Sequence, residues 1–408
     1  MSDEKTSTDN NFKNYLVVTA SYWAFTLTDG AIRMLVVLYF HLLGYSPLEV
    51  AMLFLFYEFF GIVTNLVGGW LGSRIGLNLT MHFGMGLQII ALFMLTVPDA
   101  WLSVIYVMIA QALSGIAKDL NKMSAKASIK TLLPSQTDSN PTLFKWVAVL
   151  TGSKNALKGL GFFLGTLLLQ LFEFRGALII LASGLLIVLI ASIILLPSAL
   201  GKTKHKAKFS QVFSKTPAIN WLSAARFFLF GSRDIWFVVA LPVYLHSVFN
   251  WSFTEVGGFI AIWIIGYGIV QASAPKLLKQ SHQQHGPDGS SARNWALLLS
   301  VIPVLIAVAI DNESISQLAL IIGLIIFGIV FAINSAVHSY LIVAWSDKDK
   351  VSMNVGFYYM ANAGGRLFGT VMSGWIYQTQ GLMGCLIGSS VLVLLAGVLS
   401  FKLPVEKV

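Results

Sequence analysis

Apolar residues come in long blocks, and short polar interruptions separate them along nearly the whole chain. Twelve such runs can be counted, starting near residues 15, 48, 80, 100, 143, 177, 218, 255, 295, 317, 352 and 381. Each is roughly 18 to 28 residues long, which suits a helix crossing ~30 Å of hydrocarbon and does not suit a barrel of short alternating strands. The pattern predicts an all-α membrane protein with twelve transmembrane helices.

The interruptions differ in character. Those at 74–80, 118–142, 198–217, 276–294 and 346–351, with both tails, hold most of the Lys and Arg, whereas the alternate set contains only Arg175. By the positive-inside rule both termini are expected in the cytoplasm. The longest hydrophilic break, 198–217, carries KTKHKAK and divides six runs from six. The expected organisation is therefore a tail at 1–14, a six-helix bundle at 15–197, a basic linker at 198–217, a second bundle at 218–401 and a tail at 402–408. The halves also echo each other. YFHLLGYSPLEV (Tyr39 to Val50) resembles YLHSVFNWSFTEV (Tyr244 to Val256), and FGIV at 60–63 matches YGIV at 267–270, at offsets of 205 to 207. A duplicated six-helix unit in parallel orientation is transporter architecture.

Composition agrees: 56% of the 408 residues are hydrophobic and only 11% charged, with a mean hydropathy of +0.76. The formal charge of +9 gives no reason to expect nucleic acid, because lysines beside membrane spans ordinarily set topology. The polar N-terminus, MSDEKTSTDNNFKN, lacks the apolar core and cleavage site of a signal peptide, so the first span is expected to remain.

Charges inside the spans carry the functional information. A charged group at the centre of a span costs ~2.5–3.5 kcal/mol or more, so those present face a partner or a wet cavity. The candidates are Asp29 and Arg33, Glu58, Lys154 and Lys158, Arg226, Arg233 and Asp234, and Arg366. Six bases against three acids leave an interior surplus of three positive charges, which calls for an anion. Arg suits bidentate contact with oxyanions and Lys acts as a mobile point charge, so the set fits a multiply charged oxyanion. Lys154, Lys158, Arg233 and Arg366 are the first candidates for substrate contact, followed by Arg33 and Arg226. Asp29, Glu58 and Asp234 are candidates for proton coupling or gating.

Each of these residues has a structural alternative. Asp29 and Arg33, four apart on one helix, have the spacing of a salt bridge. Arg233 and Asp234 are adjacent and do not share a helix face, so a partner on another helix is expected for each. Glu58, among aromatics, is a neutral core acid or a proton carrier. Lys118, Lys122, Lys126 and Lys130 recur every four residues and form one stripe, which either meets lipid headgroups and sets topology or funnels anions at a cytoplasmic mouth. His338, with Asn334 a turn earlier, reads as a hydrogen-bonded core histidine. His282 and His285 lack a companion carboxylate or thiolate, so no metal is expected there; His41 and His246 fit interfacial packing. Nucleotide-binding glycine loops and metalloprotease or hydrolase motifs are missing from the sequence, so no cofactor and no ATP-driven or hydrolytic activity is expected.

GGWLGSRIGLN, Gly68 to Asn78, resembles the signature cytoplasmic loop of the major facilitator superfamily: Gly69, Arg74 and Gly76 match, whereas Ser73 replaces the aspartate and Leu77 and Asn78 replace the basic pair. Arg74 joins the gating candidates on that likeness. SYWAFTLTDGAIRMLVVLYF, LFYEFFGIVTNLVGGWLG, QALSGIAKDLNKMSAKASIK, LTGSKNALKGLGFFLG and LSAARFFLFGSRDIWFVVALPV resemble, along nearly the whole chain, the organoarsenical efflux permeases called ArsJ. The resemblance implies a multi-pass protein of the bacterial inner membrane that exports 1-arseno-3-phosphoglycerate and confers arsenate resistance. It also implies a functional link to glyceraldehyde-3-phosphate dehydrogenase, which makes that compound, and the expected assembly is a monomer. The lone Cys385 agrees, since trivalent arsenic needs several thiolates and pentavalent arsenate esters present hard oxygens. The alternatives are a transporter of another organophosphate such as 3-phosphoglycerate, a multidrug exporter, which conflicts with the charge sign, and a membrane-embedded enzyme, for which no nucleophile or metal cluster is seen.

Overall fold

The computed structural model describes residues 2–45, 53–132, 141–197, 216–238, 240–251, 253–278, 286–311, 316–347 and 350–405. Among these, regular structure is entirely helical. The helices are α1 (Ser2–Leu42), α2 (Leu55–Ile75), α3 (Leu77–Met94) and α4 (Val104–Leu132), with a single 3-10 turn, Asp99–Trp101, before α4. Pro141–Leu195 is one run broken at Glu173, whose φ of 58° and ψ of −179° are not helical, so it comprises α5 (141–172) and α6 (174–195). Then come α7 (Pro217–Phe237), extended after a turn by the short helix Ala240–Ser247, α8 (Phe253–Leu277), α9 (Gly289–Ile310) and α10 (Ser316–Ala344). Val351–Ser400 is likewise broken at Gly381, φ 66° and ψ −165°, into α11 (351–380) and α12 (382–400).

Among the described residues twelve long helices therefore match the twelve apolar runs, with shifts that have local causes. α1 begins at Ser2 and carries the helix through the polar segment ahead of residue 15. α3 starts at Leu77 because Gly76, at φ 98°, turns the chain in one residue, a conformation that favours glycine. Proline occupies the first turn of α7, where its missing N–H is no loss. Asp288 caps α9, its side chain accepting from the Ser291 backbone N–H at 3.1 Å. The basic linker expected at 198–217 lies outside the described residues apart from Thr216 and Pro217, and so do His282 and His285.

By length and composition, six helical stretches among the described residues are apolar enough to cross a membrane, in α3, α5–α6, α8, α9, α10 and α11–α12. α1, α4 and α7 fall outside that group, and they carry Asp29 and Arg33, the lysine stripe, and Arg226, Arg233 and Asp234 respectively. Large exposed apolar side chains such as Ile187, Ile194, Leu305, Val308 and Val371 are what lipid-facing helix surfaces require.

The chain forms two compact units. One comprises 1–136, 153–213 and 346–360; the other comprises 137–152, 214–345 and 361–408. In the first, α4 packs along α3 and α2; in the second, α10 packs along α9 and α8. Both contain a seam where small residues bring two backbones together. A Cβ at Gly161 of α5 would come within 2.6 Å of the Leu27 carbonyl oxygen of α1, and a Cβ at Gly369 of α11 within 2.5 Å of the Gly231 carbonyl oxygen of α7. Close approach of this kind replaces the hydrophobic driving force that helices lack in lipid.

Candidate functional site

The α1–α5 seam places a charge cluster in the first unit. Asp29, almost fully buried, accepts from the Tyr57 hydroxyl at 2.5 Å and pairs with Lys158 Nζ at 3.3 Å. Arg33, one turn further along α1, reaches Glu58 of α2 at 3.3 Å and lies over the rings of Phe54 and Tyr57. In place of the bridge that the Asp29–Arg33 spacing permits, each residue makes a bridge to another helix, because α5 and α2 offer partners on either side of α1. Glu58 also lies 3.9 Å from Lys118, a second cation beside its carboxylate.

The lysine stripe turns inward. Lys118, Lys122 and Lys126 are 7%, 8% and 2% exposed, so their side chains face the first unit's interior rather than water. Asp119 is the reason: it takes Lys122 at 2.5 Å and Lys118 at 3.9 Å. Lys118 also sits 3.8 Å above the Tyr57 ring, Lys122 lies 4.2 Å from the Tyr359 ring, and Lys126 donates to the Tyr359 hydroxyl at 2.9 Å. Such cation–ring contacts gain strength when desolvated. The Lys130 side chain lies outside what the structure describes.

Lys154 stands apart from these. It is partly buried on α5, and no carboxylate among the described residues lies within salt-bridge distance of its Nζ. It lies one turn before Lys158, whose ammonium pairs with Asp29. The adjacent Ser153 accepts from the Trp23 indole N–H at 2.8 Å, which fixes this turn of α5 against α1. Counting Arg33, Lys118, Lys122, Lys154 and Lys158 against Asp29, Glu58 and Asp119, positive groups exceed negative by two.

The second unit meets buried charge with arginines. Asp234, 1% exposed, pairs with Arg233 at 2.6 Å and with Arg366 of α11 at 3.1 Å. The direct Arg233–Asp234 contact corrects the expectation that adjacent residues on a helix do not pair: the long guanidinium arm folds back, and it also lies 4.9 Å from the Phe230 ring. Arg226, 2% exposed, donates to Asn362 Oδ1 at 2.9 Å and Ser335 Oγ at 3.1 Å, with Gln271 donating to the same Ser335 hydroxyl at 3.0 Å. His338 is fully buried, and neither ring nitrogen has a hydrogen-bond partner, which corrects its reading as a hydrogen-bonded core histidine.

The sequence model described as Major Facilitator Superfamily matches residues 16–285. The chain belongs to the major facilitator superfamily. Solved superfamily structures are similar over nearly their whole length. A structure of the human organic anion transporter MFSD10 (TETRAN) aligns with a TM-score of 0.75 at 16% identity, covering 96% of this chain and 99% of that one. A bacterial homologue of the iron transporter ferroportin, in an outward-facing state, aligns at 0.72 and 17%, covering 95% and 98%. The proton:xylose symporter XylE aligns at 0.72 and 11%, covering 97% and 96%. At these identities the likeness shows the fold. No curated protein sequence matches the chain.

The chain is therefore a multi-pass membrane protein of a secondary-transporter superfamily, with the twelve-helix fold in two six-helix bundles. Within the superfamily's loop motif, Arg74 lies 4.7 Å from the Trp70 ring, and Asn78, where the motif is basic, donates to the Pro197 carbonyl oxygen at 2.6 Å. A neutral amide here binds the start of α3 to the end of α6 without needing an acid. Sequence reasoning missed Asp119, Tyr57, Tyr359 and Asn362. Asp119 had a signal, since KDLNK places an acid three residues from Lys122. The tyrosines and Asn362 had none, because their partners lie on other helices.

Proposed function

We propose that this transporter exports a polyanionic organic oxyanion, 1-arseno-3-phosphoglycerate, from the cytoplasm across the bacterial inner membrane by alternating access, and so confers arsenate resistance. The observation that carries the reading is the excess of cations in the first unit's interior, where Arg33, Lys118, Lys122 and Lys158 crowd three acids, Asp29, Glu58 and Asp119, and Lys154 lies one turn from Lys158; an incoming oxyanion would neutralise that excess. Lys158 and Arg33 border the same cluster, and Lys118, Lys122 and Lys126 continue it along α4. Arg233, Arg366 and Arg226 give the second unit its own cationic group, with Asp234 as the shared acid. Asp29, Glu58 and Asp234 each bridge helices through ion pairs that an anion would compete for, which suits gating; Arg74 belongs to the loop by which the superfamily is known. The resemblance of the segments quoted above to the ArsJ-type permeases supports the arsenate ester among oxyanions. Transport couples functionally to glyceraldehyde-3-phosphate dehydrogenase, which supplies the ester.

The test is efflux from cells that make both proteins. Loading with arsenate should cause export that requires the dehydrogenase and is lost in Lys154→Gln at equal membrane abundance. Uptake of 3-phosphoglycerate without any arsenate-dependent efflux would replace this substrate by an ordinary organophosphate.

A further inference from the structure

A second cavity, of about 680 Å³, lies in the first unit where α1 and α5 finish and α4 begins. Tyr39 in its wall stands ~15 Å beyond Asp29 along α1, so this cavity is separate from the buried charge cluster. Its walls are braced. Phe174, buried at the start of α6, stacks on the Tyr39 ring with centroids 4.0 Å apart and planes 3° from parallel. The Tyr39 hydroxyl donates to Asp99 Oδ1 at 2.8 Å, and Arg175 Nη2 donates to the same oxygen at 3.0 Å. Phe174 thereby pins the corner, with Glu173 before it and Arg175 after it, and both line the cavity. Arg175 gives one N–H to Asp99; its remaining N–H groups have no hydrogen-bond partner among the described residues. Among the same residues Glu173 makes no hydrogen bond or ion pair, yet it holds φ 58° and ψ −179°, a conformation that burdens any residue with a side chain.

The lining selects a ligand by charge. Two carboxylates, Asp99 and Glu173, against one guanidinium, Arg175, give a formal charge of −1 by difference, which disfavours a ligand that is anionic as a whole. The remaining Arg175 donors suit a phosphate, while the Glu173 carboxylate and the Gln170 amide oxygen suit an ammonium that donates N–H. A quaternary ammonium would instead want open ring faces, and Tyr39 and Phe174 cover each other. The setting is the edge of the bilayer: Trp101, two residues after Asp99, and Leu171 and Phe172, between Gln170 and Glu173, are large apolar side chains left exposed. We propose that this cavity binds the headgroup of an aminophospholipid of the phosphatidylethanolamine type, Arg175 taking the phosphate and Glu173 the primary ammonium. By the positive-inside rule this is the outer leaflet. The carboxylate at a corner better suited to glycine then serves the lipid and not the fold.

The test is thermal melting of the purified full-length chain in detergent with added lipid. Dioleoyl phosphatidylethanolamine should raise the melting temperature about 2–4 °C more than equal amounts of the phosphatidylcholine or phosphatidylglycerol with the same acyl chains. Glu173→Gln, which loses no bond within the described residues, should fold and reduce the ethanolamine lipid's effect to that of the choline lipid. Arg175→Gln should weaken the effect of both; should it not fold, the Glu173 variants decide. Glu173→Gly separates strain from binding, since it is expected to melt higher than the natural protein without lipid and still show no preference for the ethanolamine headgroup. Equal protection of the natural protein by ethanolamine and choline lipids, greater protection by the anionic lipid, or a Glu173→Gln variant that keeps the preference overturns the proposal. Matching protection by soluble phosphoethanolamine also overturns it, and assigns the cavity to a soluble ligand.

Discussion

The two units solve one problem with different side chains. Each places an aspartate on its first helix, Asp29 on α1 and Asp234 on α7, 205 positions apart, and ties it to a cation on its fifth helix, Lys158 on α5 and Arg366 on α11. Each pair sits beside a glycine seam. Beyond that scaffold they diverge: the first unit holds its acid with a lysine and a tyrosine hydroxyl, and the second clamps its acid between two guanidinium groups. Lysine can exchange its proton and arginine cannot. The first half thus ties its aspartate to a side chain that can lose its charge, and the second to side chains whose charge is fixed.

Removing the fixed half's acid should have the largest effect. Asp234→Asn leaves Arg233 and Arg366 without their carboxylate, and breaking a buried pair of this kind costs about 3–5 kcal/mol, read as a fall in melting temperature in detergent. The corresponding change in the first unit, Asp29→Asn, is expected to destabilise less, because the remaining Lys158 can deprotonate; equal losses would erase the distinction between the halves.

Lys154→Gln should affect function and not folding. Arsenate-dependent efflux is expected to fall at least tenfold, about 1.4 kcal/mol, with the melting temperature unchanged or higher, since no salt bridge of Lys154 is lost among the described residues. A stability loss with transport intact would make Lys154 a structural residue.

The smallest effects lie at the corners between α5 and α6 and between α11 and α12. The chain turns there with nearly the same dihedral angles, at Glu173 in the first unit and Gly381 in the second. Only the second uses the residue that tolerates positive φ without strain. Gly381→Glu is therefore expected to cost about 1–3 kcal/mol, and Glu173→Gly to stabilise by up to about 1 kcal/mol, both by thermal melting. A penalty for Glu173→Gly would show that this carboxylate earns its place by a contact.

Much of the fold was legible because membrane spans announce themselves by length and hydropathy alone. Eleven polar breaks located the helices, but they could not show that two of the joints are single residues, Glu173 and Gly381, in otherwise continuous runs. The site was legible as a set of residues and not as a set of pairs. Asp29 meets Lys158, and Lys126 meets Tyr359 across 233 residues, and nothing local to either sequence says so. In a soluble helix the apolar stripe reveals which face turns inward. Here lipid and protein core are both apolar, so the rotation of α4 is hidden, and its lysines read as a wet stripe when they are buried.

The main chains that touch at Gly161, and at Gly365 where a Cβ would meet the Phe227 carbonyl oxygen of α7, set the tolerance of the charged pairs beside them. Lys158 lies one turn before the first glycine and Arg366 directly follows the second, so the span each cation must reach is fixed by peptide against peptide, with no side chain left to take up slack. Even a methyl group at either position would act as a wedge, tilting the helices apart and drawing the ammonium or guanidinium away from its aspartate. An alanine scan of this protein should therefore find some of its most severe phenotypes at residues that carry no chemistry at all.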